Sequence, residues 1–269
     1  MTKPLLSHLT DVASRMILPS DLLLFLDFDG TLAPTVIDAG AAQLPPETRN
    51  ILDSLASSKR ICVAIISGRS LSDLRNRVAL QGLIYSGNHG LEISGPGLHF
   101  VEPASAERLP VLERISTDLR ERFKHVPGVW VENKRLTASV HFRAAPPASR
   151  DDIRQAVGSA LQENDFYVTA GVQTFDIRPK VDWNKGMAVR WIQEASGHRS
   201  ALPAYIGDDT TDEDAFDALR GGITVRIGHS RETAAEYHLD HQRQVQEFLI
   251  WLAALEASVP RKAFCQNEA

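Results

Sequence analysis

Short apolar runs, each stopped by a polar cluster, constrain this chain more than any other feature. LLLFL precedes Asp27, ICVAII precedes Ser67, LIYS precedes Gly87, AYI precedes Gly207 and ITVRI precedes Gly228. Runs this short, rich in Leu, Ile and Val and without polar alternation, suit strands covered on both faces. Helical patterns lie between several of them. Residues 47–58 place apolar side chains at 51, 52 and 55. Residues 70–80 open on Ser70, a good N-cap, and residues 184–195 put Met187, Ala188, Trp191 and Ile192 on one helical face. Strand and helix in repetition predict a doubly wound α/β core with a parallel sheet and right-handed crossovers.

The middle of the chain breaks that rhythm. Residues 107–126 read as a helix. Residues 128–145 read as two strands around a turn at Asn133 to Arg135. A second helix starts near Ser149, and DFYVTAGVQTFDIRP reads as a hairpin turning at Ala170 and Gly171. Hairpins call for an antiparallel sheet with helices on one face. The expectation is therefore a small α+β cap domain, 105–179, inserted into a core made of 1–104 and 180–269. Residues 258–269 read as a loose tail.

Composition narrows the function. With 269 residues, 43% of them hydrophobic, the chain can bury a core without staples. A net charge of -5 gives no basic field for nucleic acid or an acidic membrane. A small anionic substrate would need a local positive site. No stretch reaches the roughly 18 apolar residues of a membrane span, and the N-terminus lacks the pattern of a secretory leader. Cys62 and Cys265 are too few and too far apart for a disulfide framework or a metal pair. A cytoplasmic location is expected.

Ligands of open parallel sheets sit beyond the carboxyl ends of the strands. Four polar clusters fall there: DFDGT at 27–31, SGR at 67–69, NHG at 88–90 and GDDTTDED at 207–214, with Lys185 opening a helix. Asp27, Asp29 and Asp208 or Asp209 would crowd carboxylates together, and such acids do not all stay ionised without a cation. Magnesium, bound by a couple of carboxylates, waters and substrate phosphate, resolves the conflict. Lys185, the Thr31 and Ser67 hydroxyls and amides near Phe28, Asp29 and Gly68 add positive charge and donors. Together they make a site for a phosphate dianion. Asp27 is placed to attack phosphorus. Asp29, two residues on in an extended segment, shares its face and can handle a proton. Each cluster alone could be a turn or a cap, Thr211 and Asp212 included; their joint order favours the site.

DFDGT, the serine of ISGR, the lysine of NKG and GDDTTDED resemble the four motifs of the haloacid dehalogenase superfamily of phosphatases, which implies a Rossmann-like core. DFDGTLAP, SGNHGLE, WVENKRLTASVHFR, FDIRPKVDWNKG and IGDDTTDEDAF narrow the resemblance to the trehalose-6-phosphate phosphatase family, over nearly the whole chain. The resemblance implies that Asp27, Asp29 and Asp208 hold Mg2+, the second through its backbone carbonyl, and that Asp27 is phosphorylated. Among the acids of the last motif Asp208 is preferred for direct contact, with Asp209 and Asp212 close behind. Glu132 and Lys134 in the cap would contact the sugar. A third cap acid, usually Glu, is Asp176 here. His89, Gly90 and Arg143 are further candidate substrate contacts, with a turn residue and a solvated strand position as the ordinary alternatives; His141 alternates with Arg143. A functional link to a trehalose-phosphate synthase is also implied. The rival readings are a phosphatase of another sugar phosphate and a non-catalytic module that senses a phosphosugar.

Overall fold

The strand Leu22–Asp27 is buried along its whole length, and its side chains divide by parity between two cores. Leu22, Leu24, Leu26 and Phe28 join one cluster, whose helical side comes from Leu9–Ile17, Pro46–Ala56, Leu71–Val78 and Arg243–Ser258. Leu23 and Phe25 join the other, covered by Lys185–Ala195 and Glu213–Ala218. A strand covered on both faces needs apolar residues at every position, which is why LLLFL does not alternate. The computed structural model describes residues 2–17, 21–35, 39–161, 165–171 and 173–258. The tail expected beyond Ser258, Cys265 included, lies outside them.

Among the described residues the larger sheet has nine strands. Their order is Lys3–Pro4, Tyr237–Leu239, Ile223–Ile227, Leu202–Gly207, Leu22–Asp27, Ile61–Ile66, Ile84–Gly87, Glu92–Gly95 and Leu98–Val101. Neighbours are parallel from Lys3–Pro4 through Ile84–Gly87, and the last two strands form an antiparallel hairpin. This is the doubly wound α/β architecture. Register brings the strand ends together: Ile206 pairs with Leu26 and Asp27 pairs with Ile66. Asp208, Asp27 and Ser67 therefore stand side by side along one rim.

The second sheet runs Trp130–Asn133, Ala138–His141, Thr174–Pro179, Phe166–Gly171, all antiparallel. Val131, Val140, Phe175 and Ile177 pack on the helices Leu109–Phe123 and Arg150–Ala160 in a cluster of their own. The opposite face carries Glu132, Ser139 and Asp176, paired in register across three strands. Alternation in these strands thus separates a helix-covered face from a polar one.

Three local expectations are corrected. The second hairpin does not turn at Ala170 and Gly171, which pair within the strand; the reversal falls between Gly171 and Thr174, where Gln173 takes a positive φ of 61°. Met187 is exposed on its helix, while Ala188, Val189 and Ile192 form the buried stripe. Asp212 stands at the N-cap of Glu213–Ala218 but makes no side-chain cap bond there; it closes a capping box with Asp209, which caps the 3-10 turn Thr210–Asp212 just before.

Candidate active site

Asp27 ends its strand almost fully buried, and the helix Lys185–Ala195 aims its first side chain at it. That helix is capped by Asn184, whose side chain accepts from Met187 N, so Lys185 is fixed at the first turn. Lys185 Nζ donates to Asp27 Oδ1 at 2.8 Å and to Asp212 Oδ1 at 2.7 Å. Both Asp212 oxygens are hydrogen-bonded: Oδ1 also accepts from the Tyr205 hydroxyl at 2.6 Å, and Oδ2 accepts from Asp209 N at 2.9 Å. Asp212 therefore anchors the lysine. Asp208 differs, because its Oδ1 is buried with no hydrogen-bond partner.

Ligand oxygens of Asp27, Asp208 and Asp212 lie within 4.8 Å of one another. The electrostatics reflect that crowding. Burial pushes Asp27 well above the usual carboxylate range; Lys185 opposes this, and Asp212 and Asp208 add to it. Burial, then Asp212 and Asp209, push Asp208 up to about 7. Burial works against the Lys185 ammonium, yet Asp212 and Asp27 outweigh it and hold the group charged well above its ordinary range. One ammonium serves three carboxylates, so the ionised cluster lacks two positive charges. A divalent cation fits that deficit, and the orphaned Asp208 oxygen is the free hard ligand it would take. Gly30, at φ 81°, leaves the room: a Cβ there would collide with the Asp208 carboxylate.

Asp29 lies outside this carboxylate cluster, contrary to the expectation that its side chain would join it. It shares the parity of Asp27, since Phe28 between them points into the core. Its carboxylate is gripped by Arg69, Nε to Oδ2 at 2.7 Å and Nη2 to Oδ1 at 2.6 Å, and Arg69 Nη1 also reaches Asp73 Oδ2 at 2.9 Å. Arg69 was missed in the sequence, although it is the third letter of SGR. Of the phosphate-site candidates, Thr31 Oγ1 is buried without a partner, and Ser67 is buried with Oγ accepting from Arg69 N at 3.2 Å. The His89 ring covers Gly68 so closely that a Cβ on Gly68 would strike it.

His89 sits in a positive-φ turn, with its N–H bonded to Ser67 O. Burial, then the cations Arg178, Lys185 and Lys134, drive its imidazole well below its ordinary pKa, so it is neutral and its buried Nδ1 is unpaired. Gly90 is explained by packing: at φ 102° it lies against Ala188, and its carbonyl accepts from Trp183 Nε1 at 2.8 Å.

The polar face of the second sheet holds the cap candidates. Glu132 Oε2 is 3.0 Å from His141 Nε2. Burial raises the Glu132 pKa, but the His141 hydrogen bond and Lys134 bring it below its usual value. Lys134 Nζ is 3.9 Å from Asp176 Oδ1, which also accepts from Ser139 Oγ. Trp130 stacks on His141, ring centroids 3.9 Å apart. Arg143 is not on this face; the strand ends at His141, and Arg143 is exposed in the turn beyond it.

Asn88, unassigned in the sequence, clamps this sheet to the core. Its Nδ2 donates to Glu92 Oε1 at 2.7 Å and to the Lys134 carbonyl at 3.0 Å, and its Oδ1 accepts from Thr137 Oγ1 at 2.6 Å. Arg135 Nη1 adds a bond to Glu92 Oε2 at 3.1 Å.

Against known proteins, the trehalose-phosphatase family profile matches residues 25–243. A trehalose-phosphate phosphatase of Mycobacterium tuberculosis is 39% identical over 248 residues, covering 89% of this chain and 63% of the relative. One of Mycobacterium leprae is 38% identical over 92% of this chain and 62% of its own. The chain thus spans less than two thirds of the length of these curated relatives. The solved C-terminal domain of the Candida albicans trehalose-6-phosphate phosphatase superposes with a TM-score of 0.78 at 26% identity, covering 94% of this chain and 98% of that one. No helix among the described residues is long and apolar enough to cross a membrane.

Proposed function

The chain belongs to the trehalose-phosphatase family, and from that premise we propose that it hydrolyses trehalose 6-phosphate to trehalose and phosphate, with Asp27 as nucleophile. The observation that carries this reading is the buried Asp27 at its strand end, bonded to Lys185 and set beside the unpaired Asp208 oxygen. The Asp27 carboxylate attacks phosphorus as the bond to the sugar 6-oxygen breaks, and Asp29, which must give up one Arg69 hydrogen bond to carry a proton, gives that proton to the departing oxygen. Water, deprotonated by the Asp29 carboxylate, then attacks the same phosphorus, and the bond to Asp27 breaks to release the Asp27 carboxylate and inorganic phosphate, with the proton back on Asp29. Lys185, the Thr31 and Ser67 hydroxyls and the Gly68 amide face the non-bridging oxygens, where charge is stabilised in a water-poor site.

Mg2+ fits the residues present. Asp27, Asp208 and the Asp29 carbonyl would hold it, and it would supply the missing positive charge against the phosphate oxygens. Asp212 is assigned to fixing Lys185, because both its oxygens are committed. The polar face with Glu132, Lys134 and Asp176 is where the disaccharide is read, since a carboxylate and an ammonium side by side can accept from and donate to its hydroxyls.

Phosphate release from trehalose 6-phosphate, sucrose 6-phosphate, a glyceryl-glycoside phosphate and an aryl phosphate, with and without Mg2+, tests the reading. The expected result is Mg2+-dependent turnover with trehalose 6-phosphate preferred. Preference for another sugar phosphate would reassign the substrate, and binding without turnover would reduce the chain to a sensing module.

A further inference from the structure

We propose that the far edge of the nine-stranded sheet carries a separate site for one divalent transition-metal ion of the Zn2+ class, held by His229, His238 and Asp240. The three residues come from the ends of two adjacent parallel strands. Ile223–Ile227 is followed by Gly228 and His229; Tyr237–Leu239 contains His238 and is followed by Asp240. Gly228 takes a φ of 79° and donates its N–H to Leu239 O at 2.7 Å, which fastens the two strand ends together.

Both imidazoles converge on one carboxylate oxygen. His229 Nε2 is 3.1 Å and His238 Nε2 is 3.8 Å from Asp240 Oδ1, and one ligand atom from each residue lies within 4.8 Å of the others. A tetrahedral ion with bonds of about 2.0–2.1 Å spaces its ligands by roughly 3.3 Å, so these separations bracket a ready-made coordination edge. The two rings are only 4.6 Å apart between centroids, so both can reach one ion.

His238 also has the outer partner that metal-bound histidines keep. Its Nδ1 lies 2.9 Å from Thr2 Oγ1, and an Nδ1–H donated to that hydroxyl leaves the Nε2 lone pair for an ion. Thr2 is delivered by the edge strand, where Lys3 pairs with Tyr237 and Pro4 with His238. The His238 side chain is 12% exposed while His229 and Asp240 face solvent, so a fourth position is open to water. Two imidazoles and one carboxylate favour Zn2+ over Mg2+, which wants oxygen alone. The ion would staple the ends of the two strands and, through Thr2, the N-terminal strand.

The test uses the tag-free full chain, titrated calorimetrically with Zn2+ in excess Mg2+, in the wild type and in an Asp208→Asn background that weakens the Asp27 cluster. One equivalent should bind in both. His229→Ala and His238→Ala should each lose at least about tenfold in affinity, with unchanged circular dichroism and unchanged phosphatase turnover. Co2+ should give the absorption of a four-coordinate nitrogen and oxygen site in the Asp208→Asn protein and not in Asp208→Asn with His238→Ala. Zinc binding that vanishes with Asp208→Asn, or that survives both histidine substitutions at full affinity, would overturn the proposal.

Discussion

Arg69 holds the Asp29 carboxylate at both oxygens, at 2.7 and 2.6 Å, while bracing itself on Asp73. A planar fork of this kind fixes both the position and the orientation of a carboxylate. We therefore expect Arg69→Ala to lower kcat. The loss of a charged hydrogen bond, about 1.5–3 kcal/mol, corresponds to roughly ten- to a hundredfold. Arg69→Lys should recover little, because an ammonium cannot make the fork. Steady-state rates of both variants beside a thermal melt decide it; wild-type kcat in Arg69→Ala would remove Arg69 from the account.

Lys185 is the single ammonium between two buried carboxylates. Lys185→Met should abolish turnover and also destabilise the fold by about 3–5 kcal/mol, the cost of leaving buried charge uncompensated. Asp212→Asn should share part of the stability loss, since it releases the lysine. Denaturant unfolding of both variants is the measurement, and a Lys185→Met protein as stable as wild type would contradict the assigned ion pairs.

The pH dependence of the metal-free protein follows from Asp208. Its folded pKa is raised to about 7 by burial, Asp212 and Asp209, against roughly 3.9 in an unfolded chain. Between those values the folded state binds the extra proton, so this group's stabilisation is present at low pH and is lost as pH rises towards the folded value. The Asp27 shift has the same sign. Thermal melts across that range should show a downward component that Asp208→Asn removes, and Mg2+ should stabilise the wild type more at the alkaline end than at the acid end. An identical slope in Asp208→Asn would count against the raised pKa.

Glu132 and Lys134 separate sugar recognition from general phosphatase chemistry. Glu132→Ala and Lys134→Ala should each lower kcat/KM for trehalose 6-phosphate by roughly ten- to a hundredfold, and change the hydrolysis of an aryl phosphate far less. Equal losses on both substrates would place these residues in cap closure, not in reading the sugar.

The rim was legible in the sequence because each cluster ends a strand, and the order of parallel strands carries all of them to one edge. The doubly covered strands were legible for the same reason: LLLFL has no polar face to hide. The Arg69–Asp29 fork was not, because SGR and DFDGT meet only through strand pairing. Asn88 was equally silent. Its partners, Glu92, Lys134 and Thr137, are local residues and cap residues brought together by docking of the two sheets. Met187 misled because its helix buries a stripe one position over, through Ala188, Val189 and Ile192. The division of labour between Asp208 and Asp212 needed hydrogen bonds to resolve: one Asp208 oxygen is orphaned, and both Asp212 oxygens are hydrogen-bonded.

The covalent role of Asp27 is the centre of the account, and acid quenching during turnover of trehalose 6-[32P]phosphate tests it most directly. The expected result is an acid-stable, base-labile label on the peptide containing Asp27, and neither label nor turnover in a folded Asp27→Asn protein. Turnover near the wild-type rate in Asp27→Asn, or label confined to another residue, would contradict it.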